Sequence, residues 1–102
     1  MAEVNKGILK KRISKPILSI VIPHHGGFDI LNSCLESLER STFKNFETII
    51  VDNNSTDNSI SRIKNNFPQI NVVSLEKNLG YAGGCNQGAL ESKGQFLLFL
   101  NN

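Results

Sequence analysis

The stretch that decides the fold is LSIVIPHHGG, residues 18–27. With Ile17 in front, it opens on an apolar run that only Ser19 interrupts and that Pro23 ends. A short continuous apolar run is typical of a strand buried on both faces, as in a parallel sheet. We therefore predict a central strand over residues 17–22 and a loop at residues 24–27.

A helix is predicted after this loop. Asp29 is a suitable N-cap, because a short polar side chain can accept a hydrogen bond from the first helical turn. Apolar residues then recur at spacings of three and four up to about Ser41, and they mark one face of a helix. These residues are Leu31, Cys34, Leu35 and Leu38.

The same plan repeats in the middle of the chain. FETIIVD (46–52) predicts a strand rich in β-branched residues, and a polar turn follows it. Ser55 or Thr56 is the expected N-cap of the next helix, which ends before Pro68. The apolar face of that helix consists of Ile60, Ile63 and Phe67.

A third strand, INVVSLE (70–76), leads into a glycine-rich stretch and a short helix from about Ala82 to Ser92. Gly94 is the expected C-terminal cap of this helix. The last predicted strand is QFLLFLNN (95–102), and its five consecutive large apolar residues are typical of a buried strand.

The predicted order is thus βαβαβαβ, a Rossmann-like α/β fold with three layers: a parallel sheet and helices on both its faces. In such sheets, ligands bind beyond the carboxyl ends of the strands, where the strand order reverses. Because polar segments follow all four strands, we predict a binding site at this edge. These segments are residues 23–27, 52–56, 77–80 and 101–102.

Charge is unevenly distributed along the 102 residues, a length typical of one domain. The net charge is +2, yet residues 1–16 carry five basic residues against Glu3, which is +4, and the remainder is −2. This balance disfavours a nucleic-acid binder. Residues 1–16 are predicted to be a disordered basic leader, or else a segment weakly attracted to an anionic membrane surface. The basic residues are Lys6, Lys10, Lys11, Arg12 and Lys15.

The location predicted from the sequence is the cytoplasm, with contact at the inner face of the membrane left open. The N-terminus lacks the apolar stretch of a signal peptide, and no apolar run approaches the roughly 20 residues that span a bilayer. In a reducing compartment, Cys34 and Cys85 are expected to be free thiols.

Several common sites are disfavoured because their motifs are missing. No GxGxxG follows the first strand, no GxxxxGK[ST] occurs, and no cysteine–histidine spacing suits zinc. His24 and His25 are adjacent, so in an extended segment they point to opposite sides. One of them is expected to face a ligand or to serve the loop, with plain solvent exposure as the alternative.

Two polar groups remain open to both structural and binding roles. Asp52 and Asn53 follow a buried strand and are either turn formers or ligands of a polar molecule, for which the Asn53 carboxamide suits the imide edge of a pyrimidine. The glycines of NLGYAGGCNQG indicate tight helix–sheet packing, close approach to a ligand, or a helix N-terminus that faces an anion. These are Gly80, Gly83, Gly84 and Gly88.

Four motifs in this order resemble one known family: LSIVIPHHGG, FETIIVDNNSTDNS, NLGYAGGCNQG and GQFLLFLNN. Residues 17–102 are similar to the N-terminal, nucleotide-sugar-binding half of a glycosyltransferase family 2 domain with the GT-A fold. The rhamnosyltransferase-like branch is the most similar. The resemblance implies a strand order of 3-2-1-4, with the switch point between the first and fourth strands.

The resemblance also implies a role for each motif. The residues after the first strand would lie beside the base and ribose, although HHG departs from the Thr-Tyr-Asn type of sequence common in the family. Asp52 is retained from an acidic pair, and Asn53 falls where the family contacts the pyrimidine imide. Gly80, Gly83 and Asn86 match the loop and helix beneath the diphosphate. The residues after the first strand, which would lie beside the base and ribose, are Pro23, His24 and His25.

The last motif matches the start of the family's Asp-rich motif. Asn101 and Asn102 align with it, and Asn102 falls on a position near the ribose. The metal-binding Asp would be the residue after Asn102, so no metal ligand is expected in this chain. The catalytic general base is likewise expected beyond Asn102, and the domain is expected to be truncated at this point.

The resemblance implies a metal-dependent transferase as the full-length protein. It would use Mn²⁺ or Mg²⁺ and move a hexose or deoxyhexose from a UDP- or dTDP-sugar to a glycan or lipid-linked acceptor, with inversion. Three alternatives stay open: a non-catalytic nucleotide-binding module, a partner-binding scaffold, and a phospho-acceptor domain, which Pro23-His24-His25 disfavours. Self-association through the fourth strand is also expected, because that strand is an edge or is incompletely covered.

Overall fold

The computed structural model describes residues 15–101, so most of the predicted basic leader and Asn102 lie outside the described residues. Strands and helices alternate along the chain as predicted. The strands are β1 (Leu18–His24), β2 (Phe46–Asp52), β3 (Asn71–Ser74) and β4 (Phe96–Phe99). The helices are α1 (Phe28–Glu39), α2 (Ser59–Asn66) and α3 (Gly80–Glu91).

The four strands form one parallel sheet in the order β3-β2-β1-β4, which confirms the predicted order. Leu18 at the start of β1 lies opposite Phe46 of β2 and Phe96 of β4. β1 is therefore central, with β2 on one side and β4 on the other, and the chain crosses from β3 back past β1 to reach β4. The carboxyl ends of β1 and β2 coincide, with His24 opposite Asp52.

Helices α1 and α2 cover one face of the sheet. Leu31, Leu35 and Ile63 are buried against the side chains that β1 and β2 direct to this face, such as Ile22 and Ile50. Each fully buried leucine or isoleucine contributes about 1.5–3 kcal/mol by leaving water. This cluster is the main core, and it holds the carboxyl ends of β1 and β2 in place.

Helix α3 covers the other face, over β1 and β2. Its approach depends on Gly88, where an added Cβ would lie 2.2 Å from Val21 Cγ1 and 3.0 Å from Val51 Cγ2. Tight helix–sheet packing therefore accounts for this glycine. The sheet has helices on both faces, and the predicted three-layer α/β/α architecture is confirmed.

Strand β4 lies at an edge of the sheet, as expected for it, and is not the buried strand that its composition alone predicts. All four of its residues are exposed, from 41% at Phe99 to 63% at Phe96. The reason is that β4 is an edge strand, and α3 packs over β1 and β2.

The helix boundaries correct three predicted caps. Gly27, with φ of +96°, precedes α1, so Asp29 lies in the first turn and is not the N-cap. Asn58 precedes α2, so neither Ser55 nor Thr56 caps it. Helix α3 ends at Ser92, and Gly94 packs against the backbone of β1.

Strands β3 and β4 are shorter than predicted. Cys34 and Cys85 are free thiols, as expected. Among the described residues, no helix combines the length and the apolar character that crossing a bilayer requires.

Candidate functional site

A cleft of about 290 Å³ opens at the carboxyl edge of the sheet, and we call it the carboxyl-edge cleft. It lies beyond the carboxyl end of β1, which has β2 on one side and β4 on the other. Ligands of parallel α/β sheets bind at such a point. Six predicted site residues line the cleft: Pro23, His24, His25, Asn53, Gly80 and Asn101.

Four further residues line the cleft, and none of them was an individually predicted site residue, although Gly26 and Asn78 belong to the predicted polar segments. Asn78 and Tyr81 both lie within the quoted glycine-rich motif, so their polar and aromatic side chains were a usable signal. Ile30 is 66% exposed and lies off the apolar face of α1, which is the signature of a residue available for contacts. Gly26 belongs to the HHGG loop.

His24 is the buried histidine of the site. Its Nε2 lies 2.9 Å from Ser59 Oγ, and the Ser59 hydroxyl donates to Asp57 Oδ1 at 2.5 Å. Because the hydroxyl proton points to Asp57, the serine oxygen accepts from His24 Nε2–H. Burial lowers the pKa of His24, while the Asp52 and Asp57 carboxylates act in the opposite direction.

Asp57 joins the loops that follow β1 and β2. Its Oδ2 accepts from the Gly27 N–H at 2.9 Å, and its Oδ1 accepts from both the hydroxyl and the N–H of Ser59. These bonds, the Ser59 hydroxyl foremost, lower the pKa of Asp57 to about 2. Ser55 Oγ reinforces the junction by accepting from the Gly26 N–H at 2.9 Å. The HHGG loop (residues 24–27) is thus held by the segment that follows β2 (DNNSTD, residues 52–57).

His25 occupies the opposite side of the backbone from His24, as expected for adjacent residues. Its Nδ1 lies 2.8 Å from the main-chain carbonyl oxygen of Asn53. The side chain is exposed and lines the carboxyl-edge cleft. Of the two histidines, His24 is therefore a buried support and His25 faces the cleft.

Asn53 anchors the turn that begins α3. Its Oδ1 accepts from the Leu79 N–H at 3.1 Å, and its Nδ2 donates to the Gly80 carbonyl oxygen at 3.1 Å. The residue is 4% exposed, and Gly84 leaves the space that its carboxamide fills. Asn53 lines the cleft, but both atoms of its amide already bind the backbone. Its expected contact with a pyrimidine imide stays a prediction.

Asp52 and Gly80 have local structural partners. Asp52 Oδ1 accepts from the Ser55 N–H at 2.9 Å, which is a turn-forming bond. Gly80 has φ of +76°, and its N–H donates to Asn78 Oδ1 at 2.8 Å. A helix N-terminus that faces an anion was one reading of the glycines, and Asn78 already occupies this N–H.

Three of the predicted site residues lie outside the lining of the cleft: Asp52, Gly83 and Asn86. Gly83 packs against the side chain of Leu79, and Asn86 is exposed on α3. Asn102 lies outside the described residues.

The hydroxyl of Tyr81 has a partner one turn along α3. A hydrogen bond with the Cys85 thiol, together with burial, raises the pKa of Tyr81. Tyr81 is 51% exposed and lines the cleft, so it offers a ring face to a ligand.

Among residues 15–101, no three His, Cys, Asp or Glu side chains come together as a metal-binding cluster. Two larger clefts also exist. One of about 720 Å³ lies at the amino edge of the sheet, lined by residues such as Leu38 and Phe46, and one of about 560 Å³ lies after β3. We assign the site to the carboxyl-edge cleft because polar loops from β1, β2 and β4 meet only there among these three clefts.

The fold is the parallel α/β architecture found in GT-A glycosyltransferases. A family model described as "Glycosyl transferase family 2" matches residues 19–102. The chain therefore belongs to glycosyltransferase family 2, and the predicted membership is confirmed. Its expected place in the rhamnosyltransferase-like branch stays a prediction.

Curated relatives agree with this family. An uncharacterized glycosyltransferase of Haemophilus influenzae is 40% identical over 86 residues, which cover 84% of this chain and 29% of that protein. A poly(ribitol-phosphate) beta-glucosyltransferase of Bacillus spizizenii is 32% identical over 91 residues, covering 83% and 14%. The chain thus spans less than a third of either relative.

Solved structures show the same fold. The crystal structure of S. aureus TarS 1-349 superposes with a TM-score of 0.75 at 26% identity, covering 82% of this chain and 26% of that one. The same TarS fragment has been solved in complex with UDP. The mannosyltransferase PcManGT of Pyrobaculum calidifontis, at 16% identity and a TM-score of 0.72, also shares the fold; it covers 85% of this chain and 27% of that one.

Proposed function

We propose that the carboxyl-edge cleft binds the nucleotide of a UDP- or dTDP-sugar, and that the full-length protein transfers the sugar to a glycan or lipid-linked acceptor with inversion. The observation that carries this proposal is the convergence of six expected site residues on one cleft at the switch point of the sheet. Membership of glycosyltransferase family 2 supplies the reaction class.

The size and lining of the cleft support a nucleoside as the part that is bound here. A volume of about 290 Å³ lies at the lower end of small-molecule sites, so it suits a base and ribose better than a whole sugar nucleotide. Pro23 and Tyr81 offer apolar surfaces to a base, and His25 and Asn101 offer polar groups. The UDP complex of TarS, whose matched part has this fold, supports the same ligand class.

Residues 15–101 contain no cluster of three His, Cys, Asp or Glu side chains that could hold a divalent cation without a ligand. If the full-length enzyme uses Mn²⁺ or Mg²⁺, as we propose, the cation would neutralise charge on the diphosphate and would take its ligands from outside residues 15–101. The general base would come from outside as well. Within this chain, side chains bind and orient the nucleotide.

Two measurements test the proposal. Calorimetric titration of the protein with UDP and dTDP is expected to show binding that Tyr81→Ala weakens and that Leu90→Ala, an exposed change on the same helix, leaves unchanged. Residues 1–102 alone are expected to bind nucleotide but to transfer little or no sugar. Absence of nucleotide binding would overturn the proposal, and metal-dependent transfer by residues 1–102 would contradict the assignment of catalysis to the rest of the protein.

A further inference from the structure

The tautomer of His25 is determined by its partner. Its Nδ1 lies 2.8 Å from the carbonyl oxygen of Asn53, and a carbonyl oxygen can only accept a hydrogen bond. Nδ1 therefore carries the proton of the neutral imidazole. The other nitrogen, Nε2, is then an acceptor with a free lone pair.

This acceptor is available to a ligand. His25 is exposed and lines the carboxyl-edge cleft, and its Nε2 has no hydrogen-bond partner among residues 15–101. Three of the neighbouring polar side chains are already engaged: His24 Nε2 with Ser59, the Asn53 amide with Leu79 and Gly80, and Asn78 Oδ1 with the Gly80 N–H. His25 is thus the side chain after β1 that presents an open acceptor.

The acceptor is also held in place. The Asn53 carbonyl that orients the ring belongs to a residue whose N–H donates to the His24 carbonyl oxygen at 2.8 Å and whose amide binds the turn before α3. Three other hydrogen bonds therefore hold the residue that carries this carbonyl. A preorganised acceptor costs little entropy when a ligand binds.

We propose that His25 Nε2 accepts a hydrogen bond from the N3–H of uracil or thymine and so selects nucleotides with an imide base. The main-chain carbonyl of Asn53 fixes the His25 tautomer. The inference rests on the proposed function of the cleft. Cytosine has a lone pair at N3, so it would set two acceptors against each other and leave both unsatisfied. Guanine carries an N–H at a comparable place, and the small volume of the cleft favours the pyrimidines.

Three nucleotides test the proposal: UDP, CDP, and UDP methylated at N3. Wild-type protein is expected to bind UDP about tenfold more tightly than the other two, the value of one well-placed neutral hydrogen bond. In His25→Asn, the shorter amide keeps a donor near the place of Nδ1 but has no atom at the place of Nε2. The three affinities are expected to converge within about twofold. His25→Gln, whose amide reaches the place of Nε2, is expected to restore part of the preference.

The outcomes separate this inference from the proposed function. If wild-type protein binds UDP and N3-methyl-UDP equally, or if His25→Asn keeps the preference, His25 is not the reader of the base, while nucleotide binding stands. If no nucleotide binds, both proposals fall. Imidazole ¹⁵N spectra of the wild-type protein give a test that needs no variant: Nδ1 is expected to carry the proton, and an Nε2-protonated ring would overturn the inference.

Discussion

Among single residues, Asp57 has the widest structural reach, because one exposed carboxylate accepts hydrogen bonds from the HHGG loop and from the start of α2. Its folded pKa of about 2 lies below the usual 3.8. The ionised form therefore contributes stability that is fully present above about pH 4 and is lost as the pH falls toward about 2. We expect Asp57→Asn to lower the free energy of unfolding at neutral pH.

Urea unfolding of wild type and of Asp57→Asn, from neutral pH down to about pH 2, is the measurement. The gap between wild type and Asp57→Asn is expected to be widest at neutral pH and to narrow as the pH falls from about 4 to about 2. Asp29→Asn is the matched control, because Asp29 is an exposed aspartate in the first turn of α1. A gap that stays constant with pH would show that the Asp57 charge is not the stabilising feature.

His24 is expected to make stability depend on pH in a different window. Burial lowers its folded pKa below 6.5, so the neutral ring contributes stability that is complete above about pH 6.5 and is lost as the pH falls below that value. Wild-type protein is expected to lose unfolding free energy as the pH falls below about 6.5, and His24→Asn is expected to give a flatter curve there even if it is less stable throughout. Equal slopes would refute this.

The sequence predicted which residues meet at the site better than it predicted their roles. Six expected residues line the cleft because strand ends and loops follow from the apolar pattern. The different roles of the two histidines depend on contacts that are distant in the sequence. His24 contacts Ser59, 35 positions away, and His25 contacts the Asn53 carbonyl, 28 positions away. Such long-range hydrogen bonds leave no periodic signal in a single sequence.

At the scale of secondary-structure elements, two glycines determine how closely the chain packs on β1. An alanine at Gly88 would gain about 1 kcal/mol in helix propensity but would press its Cβ to 2.2 Å from the buried Val21. Overpacking costs about 1–3 kcal/mol, so we expect a net loss of up to about 2 kcal/mol. Asn86→Ala, an exposed change on the same helix, is expected to stabilise by about 0.5 kcal/mol.

Gly94→Ala is expected to cost more than Gly88→Ala. Its Cβ would lie 2.7 Å from the backbone nitrogen of Ser19 and 2.8 Å from the carbonyl carbon of Leu18. Backbone of a central strand cannot move aside as a valine side chain can, so we expect a loss of about 3 kcal/mol. Denaturant unfolding of the two variants ranks them directly. The reverse order would show that the connection before β4 yields more readily than α3.

Helix and strand positions followed from the apolar pattern, and helix caps did not. The apolar stripe of Leu31 and Leu35 predicted α1 correctly. The prediction of Asp29 as its N-cap failed because Gly27, with a positive φ, lets the chain turn into the helix two residues earlier. The carboxylate oxygens of Asp57 accept hydrogen bonds from Gly27 and Ser59. The bond to Gly27 joins two loops, and preferences for helix caps, which act over a short range, do not describe it.

At the scale of the whole molecule, the alternation of strands and helices was enough to predict a parallel sheet between two layers of helices. The exposure of β4 was harder to predict, because it depends on where α3 lies. A run of five large apolar residues predicts burial from composition alone. In the structure α3 crosses β1 and β2, so β4 keeps apolar side chains in contact with solvent on the edge of the sheet.

An exposed apolar edge strand is a template for pairing with another chain. Residues 96–99 contain no charge, no proline and no break in their register with β1, so none of the usual features that block pairing is present in this strand.

We expect the chain of residues 1–102 to self-associate through β4 with increasing concentration. Phe96→Lys, at a position that is 63% exposed, is expected to shift the population toward monomer because charges on edge strands oppose pairing. Leu90→Lys is the matched control, since Leu90 is 78% exposed on α3, away from the edge. Sedimentation velocity over a concentration series measures both; equal effects of the two lysines would place the association surface elsewhere.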